Sequence, residues 1–396
     1  MMKEVKMTIK RHGRKIALWA VMVLAITGML LPASLYAAQT YKIGAILAVT
    51  GPASFLGGPE ARTLEMLVDQ TNAAGGINGK EIELIIKDSG GNPEKAISFA
   101  KQLIEEEQVL AVVGPATSGE TLKIKKIFEQ AETTLVSCAA AELIVNPVAR
   151  YVFKTPQKDS FAAQKIFQTM KDMGISKIAV LVGNTGFGKA GKAQLLKIAP
   201  EMGIEIVEAE VYDKQSKDLS AVVAKIKANK DVQAVVNWSI VPAQAIVAKN
   251  MRQAGWDVPL FQSHGFGNIK YVEAAGAAAE GIVFPCGRLL VADQLPDGHP
   301  QKALLVKYIA DYEKKYQETA SAFGGYAYDA FIILKSAMTK AGMDRAKIRD
   351  EIEKIQNLPG TSGIFSFSPQ DHNGLDIDSF EMITVKDGKF VPYKGM

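Results

Sequence analysis

"KIAVLVGNTGFGKAGK", residues 177–192, reads as a β-strand, a glycine-rich turn and the start of a helix. The turn fits two nucleotide motifs at once. Gly183 through Lys189 has the spacing of a phosphate-binding P-loop, and Gly186 through Gly191 that of a dinucleotide turn. A P-loop needs Ser or Thr after its lysine to hold Mg²⁺, and residue 190 is alanine. It also needs an acid closing a later strand, whereas "VQAVVNWS" ends on Asn237 and Trp238. A dinucleotide turn should follow its strand directly and open its domain; here "GNT" intervenes and the stretch lies mid-chain. We therefore read these glycines as a sharp turn between strand and helix. The turn presents Phe187 at the carboxyl end of the strand.

The same unit repeats on both sides. Upstream, "YKIGAIL", "EIELIIKD", "VLAVVG" and "TTLVS" alternate with helical patterns over 58–74, from Pro93 and from about Ser118. Downstream, a helix from Asp159 precedes "KIAVLV"; then "GIEIVEAEVY", "VQAVVNWS", "VPLFQS" and "GIVFP" alternate with helices over 188–200, 218–229 and 242–254. Short strands joined by single helices pair in parallel through right-handed crossovers, which predicts an α/β fold. After Pro285 come helices over 300–316, from "FGGYAYDAF", and over 344–356, then two short strands near "GIFSFS" and "FEMITVKDG". No Gly/Ser or Pro-rich linker separates the series. This predicts two doubly wound sandwich lobes joined by hinge crossovers, with a central cleft at the carboxyl ends of the strands.

The first forty residues set the compartment. Six Lys or Arg and one acid, Glu4, precede the apolar run "IALWAVMVLAITGMLL", and Ala37 and Ala38 lie at its exit. Basic start, apolar core and small-residue exit describe a cleaved signal peptide over 1–38, hence export to the periplasm. The run is shorter than the roughly 20 residues that a spanning helix needs. Without this segment the 46 basic and 42 acidic side chains of the whole chain become 40 and 41. No basic tract is left to recruit nucleic acid or an anionic membrane surface. The remaining length of about 359 residues asks for two cores.

Cys138 and Cys286 read as buried thiols, with a disulfide open as the alternative. The four histidines are scattered without metal-ligand spacing, so no metal and no cofactor are expected. No nucleophile elbow or clustered acid pair appears. His264 in "FQSHGFGN" is the strongest candidate base, and a lone loop histidine more often serves as a hydrogen-bonding group.

From Tyr41 onward the chain resembles the leucine/isoleucine/valine-binding-protein-like substrate-binding proteins of bacterial ABC importers. The resemblance is carried by "LAVTGPASFLG", "AGGINGK", "VVGPATSGET", "YVFKTPQKDS", "GFGK" and "GGYAYDA". It implies the type I periplasmic binding fold and no enzymatic activity. It also implies a monomer that captures a small solute between closing lobes and delivers it to membrane permease subunits. The lobes implied are 39–158 with 288–362, and 159–287 with 363–396, hinged near 155–160, 284–290 and 358–366.

The resemblance also places a site. Ser118, with Ala116 and Thr117, would bind a ligand carboxylate at a helix start, where amides and the helix dipole favour an anion. The bland role for Ser118 is a helix N-cap. Ala139 and Ala140 would supply backbone, and Ala141 stands where the family has threonine. Phe187 takes the place of the family's aromatic. In "FQSHGFGN", Gly265, between His264 and Phe266, occupies the place of the carboxylate that amino-acid binders set against the ligand's ammonium. Asp159 is a weak substitute with an N-cap role as its alternative. Phe55, Phe187, Trp238 and Phe266 are candidates to line an apolar slot. A site without that acid disfavours a zwitterion, since an unpaired buried ammonium costs several kcal/mol. The sequence therefore points to a small aromatic or aliphatic carboxylate, with a branched-chain amino acid as the alternative. A secreted enzyme or a sensor domain on the same fold is the competing class; a sensor should carry a further membrane or output segment.

Overall fold

The strand of the opening stretch, β6 (Lys177–Gly183), is buried along almost its whole length, which is why it is apolar without alternation. It lies inside a parallel sheet between β7 (Glu205–Tyr212) and β8 (Ala234–Trp238). The computed structural model describes residues 40–395, so the signal-peptide reading lies outside the described residues. β9 (Leu260–Gln262) and β10 (Val283–Cys286) extend this sheet in parallel. β13 (Glu381–Lys386) and β14 (Lys389–Pro392) close it as an antiparallel hairpin.

A second sheet precedes it in the chain. β1 (Tyr41–Leu47), β2 (Ile82–Asp88), β3 (Ala111–Val113), β4 (Thr134–Ser137) and β5 (Val152–Lys154) pair in parallel in the order β2–β1–β3–β4–β5. Counted from its own first strand, the later sheet has the same order, 2-1-3-4-5, before its hairpin. The repeat of pattern in the sequence is thus a repeat of topology. In both sheets the order reverses beside the first strand, and such switch points leave a crevice at the strands' carboxyl ends. A small third sheet pairs β11 (Leu358–Pro359) with β12 (Ile364–Phe365).

Helices cover both faces of each sheet. In the first lobe α1 (Ser54–Ala73), α2 (Pro93–Lys101) and α3 (Ser118–Gln130) follow β1, β2 and β3. In the second, α4 (Asp159–Asp172) leads into β6. α5 (Gly186–Ile198), α6 (Ser220–Ala228), α7 (Ala243–Gln253) and the short α8 (Ile269–Ala275) follow the next strands. The later helices α9 (Lys302–Tyr316), α10 (Ala322–Ala341) and α11 (Arg345–Glu353) return to the first lobe, where α10 lies along α1. The Thr63 and Tyr308 hydroxyls join α1 and α9 at 2.8 Å.

Three chain crossings between the sheets meet at one place. Gln157 Nε2 donates to the Ser362 carbonyl at 2.8 Å, and a Cβ at Gly287 would stand 3.2 Å from that same nitrogen. Asn373 ties in from β12–β13, donating to the Pro156 carbonyl at 2.8 Å. Short strand β5 and helix α8 are absent from the sequence reading. Their segments are too brief to show a period.

Candidate functional site

Loops from both switch points face one another. Pro52 and Ala53 after β1, with Thr117, Gly119 and Glu120 after β3, line one wall of a cavity of about 370 Å³. The opposite wall is Asn184 to Phe187 after β6, with Ile240 and Val241 after β8. Phe187 and Ile240 also bound a deeper cavity of about 20 Å³. A volume of that size holds about one water. A solute of several heavy atoms enters only if the walls move apart.

Two helices aim their N-termini at this cleft. Thr117 caps α3, accepting from the Glu120 amide while its hydroxyl donates to Glu120 Oε2 at 2.6 Å. Thr117 thus takes the N-cap role that Ser118 was a candidate for. Ser118 is the first helical residue instead, and its Oγ accepts from the Ala141 amide at 3.2 Å. The amides that open α3 have no carbonyl partner within the helix. On the other lobe Thr185 caps α5, accepting from the Gly188 amide at 3.0 Å.

Of the residues expected at the site, Ala116, Ser118, Ala139, Ala140, Phe187, His264 and Gly265 line the deeper cavity together. Thr117 lines the outer one. Ala141 is buried and reaches the site only through Ser118. Trp238 is fully buried behind Phe187, 5.6 Å between ring centroids, with its indole N–H unpartnered. Phe266 belongs to the core of the second lobe, stacked on Tyr271 and edge-on to Phe284. Phe55 packs on Tyr271 at 5.3 Å, and its carbonyl accepts from Asn268 of the facing lobe. Of the four aromatics put forward for the slot, Phe187 is the one that lines it.

Asp159 sits behind the cavity rather than in its lining. It is the first residue of α4 with no exposure, and no side chain hydrogen-bonds to its oxygens. Its Oδ1 lies 3.5 Å from His264 Nε2. Lys154, also fully buried, donates to the carbonyls of Ala140, Pro156 and Gln157 at 2.9, 2.7 and 2.9 Å. Burial pushes the Asp159 carboxyl up to about 8, with Lys154 partly offsetting it. Burial likewise pulls Lys154 down to about 7 and His264 down to about 3. Three carbonyl acceptors match the three N–H bonds of an ammonium, and on that geometry we hold Lys154 charged. His264 is then a neutral ring held edge-on by Phe187, Trp238 and Phe380.

The glycines of the opening stretch are explained by contact. A Cβ on Gly188 would strike the Gly183 carbonyl oxygen, and one on Gly191 the Trp238 indole. A Cβ on Gly186 would stand 2.6 Å from the Cα of Gly119 on the other lobe. The turn is built for close approach of backbone to backbone, not for phosphate.

The periplasmic binding protein family model matches residues 40–389 of this sequence. The chain belongs to the periplasmic binding protein family. It is 28% identical to the leucine-, isoleucine-, valine-, threonine- and alanine-binding protein of Pseudomonas aeruginosa, over 77% of this chain and 80% of the relative. It is 26% identical to Leu/Ile/Val-binding protein homolog 3 of Brucella melitensis, over 88% and 92%. Among solved structures, an extracellular ligand-binding receptor of Rhodopseudomonas palustris superposes with a TM-score of 0.85 at 26% identity, covering 90% of this chain and all of that one. The branched-chain amino acid transporter substrate binding protein of Streptococcus pneumoniae, solved in complex with isoleucine, gives 0.79 at 28% identity, covering 89% and 98%.

In this periplasmic binding protein, five further residues that the sequence did not signal line the candidate site. Leu56, Cys138, Ile240, Phe323 and Tyr326 complete the lining of the deeper cavity. Tyr326 lies in "GGYAYDA", where the sequence signalled the family but not a contact. Lys154 was equally hidden, since a lysine between Phe153 and Thr155 reads as the solvated end of a strand. Cys138 and Cys286 are both buried and unbonded.

Proposed function

We propose that this chain is the solute receptor of an ABC importer, which captures a small carboxylate lacking an ammonium group in the periplasm and hands it to a membrane permease. One observation carries the preference: no ionised acid lines the deeper cavity, whose polar lining is Ser118, His264, Tyr326 and the backbone of Ala139 and Ala140. Ser118 and the first amides of α3 favour a carboxylate, because the positive end of the helix faces it. Leu56, Phe187, Ile240 and Phe323 favour an apolar body, aromatic or aliphatic.

A second reading has its own support. Asp159 lies one side chain behind His264, its Oδ1 3.5 Å from the ring's Nε2, and the relatives are named for leucine, isoleucine and valine. An amino acid would bring its ammonium to that pair. Calorimetry with leucine and with 4-methylpentanoate, its deaminated counterpart, separates the two. The acid is expected to bind at least about tenfold more tightly, a difference of about 1.4 kcal/mol. The opposite order replaces the carboxylate reading with the amino-acid one. Ser118→Ala should weaken either ligand by about 1–3 kcal/mol, since a charged oxygen loses a donor in a dry site.

A further inference from the structure

The Tyr326 hydroxyl lines the deeper cavity from the first lobe and has as yet no role. Tyr326 is 4% exposed, borders the deeper cavity, and its hydroxyl has no hydrogen-bond partner. Buried hydroxyls are nearly always paired, so an orphan at a cavity wall calls for a partner that arrives from the cavity.

The surroundings offer no substitute. Glu60, one helical turn beyond the lining residue Leu56, is fully buried, and neither of its oxygens has a partner, so it does not accept from Tyr326. Asp329 has spent its carboxylate on the amides of Thr361 and Ser362 and on the Thr361 hydroxyl, at 2.5, 2.9 and 3.0 Å. Phe323 meets the tyrosine ring edge-on at 5.9 Å and adds only an apolar wall. The Tyr326 backbone, by contrast, is fixed: its carbonyl accepts from Thr155 Oγ1 at 2.9 Å. A rigidly placed donor therefore faces the cavity with no acceptor supplied by the protein.

We propose that Tyr326 is a specificity-determining residue that selects ligands bearing a second oxygen, on the carbon chain, in addition to the carboxylate. A plain hydrocarbon chain would leave the phenol buried and unpaired, whereas a keto or hydroxyl oxygen satisfies it. Sites built to pair with a polar group discriminate more sharply than apolar pockets do, because the orphaned group is penalised along with the lost bond. This rests on the carboxylate reading above and narrows it to oxo or hydroxy acids.

The test is calorimetry of the whole mature chain with pentanoate, 2-oxopentanoate and 4-oxopentanoate, repeated on Tyr326→Phe. One of the oxo acids should bind the wild type at least about tenfold more tightly than pentanoate. Tyr326→Phe should bring that ratio to about one, by weakening the oxo acid and relieving the unpaired phenol against pentanoate, and a circular-dichroism spectrum and urea midpoint like the wild type's show that the variant folds. If the wild type binds pentanoate and both oxo acids alike, the phenol's partner is an ordered water and the proposal falls, while the carboxylate reading stands. If an oxo acid is preferred and the preference survives in Tyr326→Phe, another residue reads the oxygen and the proposal also falls. If none of the three acids binds and leucine does, the carboxylate reading itself has failed and takes this proposal with it.

Discussion

His264 shows how burial decides the chemistry of a side chain. Free in solution, imidazole takes a proton near 6.5; in the fold it resists until about 3, because burial and then the charge of Lys154 oppose it. A depressed pKa contributes stability that is present above the unfolded value and is lost as the pH falls through the window from 6.5 to about 3. Asp159 works in the other sense. Its raised carboxyl contributes stability that is full below 3.8 and lost as the pH rises through about 8. The histidine's share is therefore read as the difference between the wild type and His264→Gln. Going from about pH 7.5 to about pH 4.5, urea denaturation should show the wild type losing on the order of 2–3 kcal/mol more than the variant. Parallel losses would mean that the ring protonates inside the fold.

Two helix starts meet at the mouth of the cleft, and we expect their contact to set how far the lobes close. Gly186 opens α5 and Gly119 lies in the first turn of α3. The contact is asymmetric. A Cβ on Gly186 would stand 2.6 Å from the Gly119 Cα and 2.7 Å from its nitrogen, while a Cβ on Gly119 would be 3.8 Å from Gly186. Backbone cannot give way as a flexible side chain can, so Gly186→Ala should wedge the lobes apart. We expect it to weaken ligand binding by about 1–3 kcal/mol, the usual cost of overpacking, with little change in the stability of the free protein. Gly119→Ala should bind nearly as the wild type does. Equal effects in calorimetry would mean that this contact does not limit closure.

At the scale of the whole molecule, the meeting of Gln157, Gly287 and Ser362 gathers the crossings between the sheets into a narrow waist. We propose that the lobes turn about this waist as rigid bodies when a solute enters, since each sheet is held by its own backbone ladder while the waist is only a few chain crossings wide. The small inner cavity agrees with that motion, because its walls belong to both lobes. Small-angle X-ray scattering should therefore show a smaller radius of gyration when the wild type is saturated with 4-methylpentanoate. The same acid should produce less compaction in Gly186→Ala. A tightly bound acid that leaves the scattering of the wild type unchanged would rule out closure about the waist.

Much of this protein was legible in the sequence because local physics repeats along the chain. Apolar runs of strand length alternate with helical periods from Tyr41 to Cys286, and that alternation alone dictates parallel sheets with a crevice at their carboxyl ends. Phe187 was reachable from its strand end and His264 from its loop, whereas Ser118, Ala139 and Ala140 were reached only through the family resemblance. Tertiary structure decided the rest. Burial is a property of the packed molecule, so the sequence could not tell that Phe266 serves the core and Phe187 the cavity, although only Phe187 lines it. Nor could it place Asp159 behind His264 or aim Lys154 at three carbonyls, since these groups come from separate segments that only folding brings together. Tyr326 sits more than 180 residues from Ser118 in the chain, yet both border the same 20 Å³ cavity. Periodicity fixes which elements form; side chains far apart in sequence become one site only when the packed lobes bring them together.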